Sequence, residues 1–86
     1  MALTTGQLLV GTTPVQIDGT SVSNFRLHIH NMDNTETLFI GGEDVSISNG
    51  LSIPKLDSLE LLCYPLDAVW VVSTKAGHQV SYLKQV

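Results

Sequence analysis

Apolar and polar residues alternate with a period of two along most of this chain, the pattern of half-buried β-strands. The cleanest case runs from Phe25 to Asn31: Phe25, Leu27 and Ile29 fall on one face, and Arg26, His28 and His30 on the other. Gln7-Leu8-Leu9-Val10 reads as a short strand ended by Gly11, and Pro14-Val15-Gln16-Ile17 as another, ended by the turn pair Asp18-Gly19. Ser58 to Cys63 is ambiguous, because leucine and glutamate favour helix. The period of two, with Leu59, Leu61 and Cys63 on one face, and the flanking prolines Pro54 and Pro65 favour a strand. Ala68 to Val72 is apolar on both faces, which predicts burial on both. Lys75 to His78 reads as a tight connection, and Gln79 to Leu83 as the last strand. The expectation is an all-β, antiparallel sandwich or small barrel of seven to eight short strands. It forms one domain over residues 7–86, preceded by an arm, residues 1–6, that is flexible or held by a partner.

The stretch from Leu38 to Leu51 interrupts this alternation. Leu38-Phe39-Ile40 is an apolar strand that stops at Gly41-Gly42, where paired glycines predict a sharp turn or bulge. Val45-Ser46-Ile47-Ser48 alternates again and predicts a half-buried strand or extended segment. Asn49-Gly50 predicts a turn, since both residues tolerate positive φ.

Composition narrows the function. Of 86 residues 43% are hydrophobic and 14% charged, against about 25% charged in an average soluble domain. A small domain has much surface to cover, so this shortage of charge implies that other protein covers part of it. The net charge of −4 and the scattered basic residues Arg26, Lys55, Lys75 and Lys84 argue against a nucleic-acid groove. No apolar run approaches the length of a membrane-spanning helix, and residues 1–6 lack the pattern of a signal peptide. One cysteine, Cys63, cannot form an internal disulfide, and its position beside Leu59 and Leu61 makes it a core residue.

Candidate chemistry is sparse. His28 and His30 sit about 7 Å apart on one strand face, enough for two zinc ligands, with a threefold axis able to assemble more. No third ligand is evident within the chain, so they are expected as polar surface or subunit interface, with no metal. Glu43-Asp44 with Ser46, Ser48 and Asn49 offers oxygens, but not at calcium-loop spacing. Gly41-Gly42-Glu43-Asp44 matches a nucleotide-cyclase signature that this chain is too short to use. No helix start or lysine follows to make a phosphate loop. No serine–histidine–acid order points to hydrolysis. No catalytic residue and no cofactor are expected.

Three features in order carry a resemblance: Val10-Gly11-Thr12-Thr13 before a short strand, the Arg-led strand Arg26 to Asn31, and Ile40 to Gly50 with Gly-Gly-x-Asp-Val followed by Ser-Asn-Gly. With Leu59 to Ser73 and Val80 to Leu83, these resemble a group of small tailed-phage virion proteins of the capsid decoration, cement or head-fibre-base type. Two departures stand out: Lys55-Leu56-Asp57 where the group tends to have a glycine-containing turn, and Trp70 where it commonly has tyrosine. The resemblance implies a structural protein on the phage head surface, made in the host cytoplasm. Its partner would be the major capsid protein or another virion protein. The alternative is a head-fibre, tail, or receptor- or carbohydrate-binding β-module. A two-layer sandwich can bury one face of Ala68–Val72, so Val69 and Val71 are expected at a subunit interface, with His28 and His30. By analogy with the group, that interface closes a homotrimer. Met1, Ala2, Leu3, Thr4 and Thr5 are expected to reach the partner lattice.

Overall fold

A computed structural model describes residues 3–17 and 21–86. Among them the chain forms eight strands: β1 (Leu3–Val10), β2 (Val15–Gln16), β3 (Phe25–Asn31), β4 (Leu38–Gly41), β5 (Leu51–Ile53), β6 (Ser58–Cys63), β7 (Trp70–Ser73) and β8 (His78–Gln85). They build two four-stranded antiparallel sheets, ordered β1-β8-β3-β6 and β2-β7-β4-β5. Eight strands interleaved in this order make a jelly roll, in which chain neighbours repeatedly cross between sheets.

The alternation read from the sequence sets the core. Phe25, Leu27 and Ile29 of β3, Val80 of β8, Val10 of β1 and Cys63 of β6 face Leu38 and Ile40 of β4, Val71 of β7 and Ile53 of β5. Arg26, His28 and His30 turn to the outside, as expected. Leu8, Leu59, Leu61, Val69 and Tyr82 complete the packing from the rim. Gly6 lets Tyr82 lie across the inner side of β1: a Cβ there would meet the tyrosine hydroxyl at 2.6 Å.

Several expectations are corrected. The proposed arm is not free over its described part, because Leu3 to Thr5 continue β1 and pair with Gln85, Lys84 and Leu83 of β8. Threonines and a leucine opposite a strand complete a ladder readily, and their lack of alternation hid this. Met1, Ala2 and the turn pair Asp18-Gly19 lie outside the described residues. Val69 and Val71 are not at an exposed interface: Val71 is fully buried in the core and Val69 packs against it. The opposite face of β7 is covered from within the chain. Val72, 3% exposed, lies beside Phe39 and under the excursion that follows β4.

That excursion, residues 42–50, is a series of turns and not a strand. Val45 N–H donates to the Gly42 carbonyl, and Ser46 N–H to Asn49 Oδ1, so the segment folds back on itself. Val45 is thereby pressed, 4% exposed, onto the outer side of the sheet. Gly41, Gly42, Asn49 and Gly50 do not adopt positive φ. Gly41 and Gly50 are required instead by close approach, since a Cβ on either would lie 2.9 Å from Val45 Cγ2. At Gly50 it would also lie 2.8 Å from Phe39 Cβ. Gly50→Ala is therefore expected to destabilise by about 1–3 kcal/mol through overpacking. Gly42→Ala, whose Cβ would meet nothing closer than Asp44 Oδ1 at 3.6 Å, should stay near neutral. Urea unfolding of the two variants checks the contrast.

Candidate functional site

Three places in the fold carry more than packing. The first is a polar joint buried between the sheets. Asn31 ends β3, His78 begins β8 and Ser73 ends β7, and all three are at most 1% exposed. Asn31 Nδ2 donates to the carbonyls of Glu36 and Ile53 at 3.0 Å and of Pro54 at 3.2 Å. Those acceptors fix the amide orientation, so Oδ1 must accept from His78 Nε2 at 2.7 Å and from Asp33 N–H at 3.0 Å. With its proton on Nε2, His78 accepts the Ser73 hydroxyl at Nδ1, at 2.6 Å. Lys75 N–H closes the chain onto Ser73 Oγ. Every buried side-chain polar atom among the described residues finds a partner.

The neutral imidazole fits this circuit and the cation does not, since a protonated Nδ1 would displace the hydroxyl hydrogen. Burial pushes the His78 pKa below its ordinary value, as does the nearby Lys75, while Asp33 and Glu36 pull the other way. Asp33 is held well below the usual carboxylate range, first by Lys75 and then by Thr35. Its carboxylate takes the Lys75 ammonium at 2.6 Å and the Thr35 hydroxyl and N–H. The residues superficially resemble a hydrolytic serine–histidine–amide set. Ser73 has no exposure to a substrate, however, and occupies Nδ1, the nitrogen that the orienting group holds in such sets. The arrangement ties β3, β8 and β7 together.

The second place is the outer face of the β1-β8-β3-β6 sheet. Here His28 lies between Leu83 and Glu60, and His30 between Ser81 and Ser58. Arg26 reaches Glu60 at 3.2 Å, an exposed pair that contributes little. His28 and His30 line a broad shallow depression with Thr5, Gln7 and Tyr82. Among the described residues, no third histidine, cysteine or carboxylate completes a metal-holding group with them.

The third place flanks β6. Pro54 to Asp57 and Tyr64 to Asp67 are turns closed by Asp57 N–H to the Pro54 carbonyl and Asp67 N–H to the Tyr64 carbonyl, each at 3.1 Å. Their third residues, Leu56 and Leu66, have φ of 58° and 67°, where type II turns favour glycine. A leucine in that conformation costs about 1–2 kcal/mol, and both side chains are exposed, at 57% and 68%. Leu62 and Tyr64 are exposed beside them. Leu56 thus keeps the turn shape expected of a glycine. Cys63, between these turns, is buried with its thiol pKa pushed up, chiefly by burial and further by Asp67.

Sequence reasoning reached the outer-face histidines and missed both other places. The Ser73–His78 spacing gave no signal, because the partners come from three strands. The repeated Leu-Asp at the ends of two Pro-containing turns, 56–57 and 66–67, was a visible cue. Of the described residues expected at a contact, Leu3, Thr4, Val69 and Val71 do not join any of the three places, and Thr5 lies at the rim of the second.

The fold defines a jelly-roll β-sandwich. No protein-family model and no curated protein matches this sequence. Among solved structures the chain is similar to one described as "Bacillus endospore appendages form a novel family of disulfide-linked pili", with a TM-score of 0.62. Sequence identity is 10%, over 99% of this chain and 85% of that one, so the likeness is one of fold.

Two predictions follow from the histidines. The folded-state pKa of His78 lies below the unfolded-state value near 6.5, so the unfolded chain takes up the proton first. Its contribution to stability is full above about pH 6.5 and is lost as pH falls from there through the lowered folded value. Unfolding free energy should decline over that window, and His78→Gln should flatten the decline while lowering stability at pH 7 by about 1–3 kcal/mol. Denaturant titrations at a series of pH values check both. Changing His28 and His30 together to glutamine should leave stability within about 0.5 kcal/mol, and a chelator should leave the melting temperature of the parent unaltered.

Proposed function

We propose that this protein is a structural component of a virion that acts by packing against other protein. Its most fitting role is a capsid decoration or cement protein on the outer head lattice of a tailed phage, with no catalytic activity and no cofactor. The observation that carries this reading is the pair Leu56 and Leu66. Each is an apolar side chain held out to water by a backbone conformation that costs stability, and strain kept at an exposed position points to a contact made there. Leu62 and Tyr64 extend the same apolar margin along β6. The sparse charge of the chain and the resemblance at Ile40 to Gly50 support a partner that is protein.

A second reading is a subunit of a filament or appendage. It is favoured by the likeness of fold to the spore-appendage structure. The linkage would have to differ from a disulfide, because the one cysteine, Cys63, is buried at 4% exposure. A carbohydrate-binding module is less well supported: Phe25 is in the core, Phe39, Trp70 and Tyr82 are half-buried, and Tyr64 alone among the aromatic side chains is exposed.

The test is copy number and binding on purified particles that carry this chain. A copy number matching the capsid subunits supports decoration, and one matching vertices or a tail overturns it. Filaments in place of particle binding would establish the second reading. Leu66→Gly is expected to raise the stability of the isolated protein by up to about 1 kcal/mol, as relief of strain outweighs the added chain entropy. The same change should weaken particle binding. Unchanged binding of the double Leu56→Gly, Leu66→Gly variant would remove the β6 margin from the contact.

A further inference from the structure

The two sheets expose four edges, and three of them are protected. β2 is two residues long and follows Pro14, and β5 is three residues long and runs into Pro54. β6 carries Glu60 at its middle and is bracketed by Pro54 and Pro65. β1 has none of the usual defences: Leu3-Thr4-Thr5-Gly6-Gln7-Leu8-Leu9-Val10 contains no charge and no proline, and it pairs with β8 without a bulge.

The direction of its backbone groups follows from the hydrogen bonds around it. Met32 N–H donates to the Gln79 carbonyl, so Gln79 faces β3 and its neighbours His78 and Val80 face β1. Val80 opposes Leu8 and Tyr82 opposes Gly6. The N–H and C=O groups of Leu3, Thr5, Gln7 and Leu9 therefore point away from β8. Gly11, next in that alternation, gives its carbonyl to Ser73 N–H, which ends the open edge at Leu9. The window Leu3–Leu9 is centred on Gly6. The side chains of Leu3 and Leu9 lie on the outer face of the sheet, exposed at 65% and 64%.

We infer that β1 is a self-pairing edge: two copies of this chain join antiparallel along it, about a twofold axis at Gly6, into one continuous eight-stranded sheet. In that register Leu3 opposes the partner's Leu9 and Thr5 opposes the partner's Gln7, with the same pairs repeated across the axis. Every outward backbone group of the window is satisfied. Each exposed leucine meets the other kind on the same face, where cross-strand apolar pairs stabilise a sheet. A shift of two residues in either direction would leave an end pair unmatched and separate the leucines. The occupant is a second copy because the window is its own complement, the requirement of a twofold contact. The inference does not depend on a virion partner and concerns the isolated protein.

Sedimentation of the purified full chain from 1 to 100 μM, on the order of concentrations where a small contact of this kind associates, tests it. The expected result is a monomer–dimer equilibrium. Gln7→Pro removes an N–H that points away from β8, so the intramolecular ladder is kept and the partner strand is blocked. It should weaken association at least about tenfold, equivalent to 1.4 kcal/mol, with an unchanged circular dichroism spectrum. Should that variant fail to fold, Leu3→Lys with Leu9→Lys carries the test, since the charges fall at exposed positions and oppose each other only in the dimer. A parent that stays monomeric throughout overturns the inference. So does a trimer or larger assembly, and so does a dimer that survives the charged variant.

Discussion

The side-chain amide of Asn31 is the point on which the arrangement of the two sheets depends. It stands where β3 leaves its sheet, and it reaches three carbonyls, one backbone N–H and an imidazole. Through Ile53 and Pro54 it fixes the exit of β5; through His78 and Ser73 it fixes the corner where the chain passes from β7 to β8. Apolar packing alone tolerates sliding between sheets, because hydrophobic burial is non-directional. A buried hydrogen-bond network with every member satisfied does not, since any shift leaves a desolvated group unpaired. In a sandwich this thin the joint supplies the registration that a larger core would supply by shape.

A second constraint follows from size. With so few residues, a strand apolar on both sides has to be covered cheaply, and the turns of residues 42–50 do this by folding Val45 onto the outer side beside Phe39 and Val72. The tight contacts at Gly41 and Gly50 are the geometric condition for it. A doubly apolar strand therefore needs no neighbouring subunit here, and Val71 and Val72 are both buried within the one chain.

What the sequence made legible was local. Period-two alternation identified β3, β6 and β8, and it separated Phe25, Leu27 and Ile29 from Arg26, His28 and His30, because one residue per step decides each side chain's face. It failed where a tertiary contact overrode the pattern. Val45-Ser46-Ile47-Ser48 alternates, yet it coils, since its valine is needed over the sheet and Asn49 holds Ser46 in a turn. Leu3 to Gly6 do not alternate, yet they pair, since β8 presents a full-length partner. His78 read as part of a connection, because a histidine after Lys75-Ala76-Gly77 looks solvated until the strands from elsewhere close around it. The strained leucines sat in plain Pro-containing turns, but positive φ at a leucine is a property of the closed turn and not of its residues.

The contrast between the two margins of the β1-β8-β3-β6 sheet limits what assemblies this chain can build. An even number of antiparallel strands gives edges that run in opposite directions, so β1 of one copy could in principle add to β6 of the next and continue without end. Glu60 at the centre of β6 and the strained, leucine-bearing turns at its ends oppose a strand there. Pairing at β1 alone closes after two copies and leaves the β6 margins facing outward at opposite ends of one rigid sheet. Such a pair is bivalent. If each margin takes up one lattice subunit, the second contact forms at the high effective concentration set by the first. Bridging could then be firm although each chain offers only a few exposed leucines.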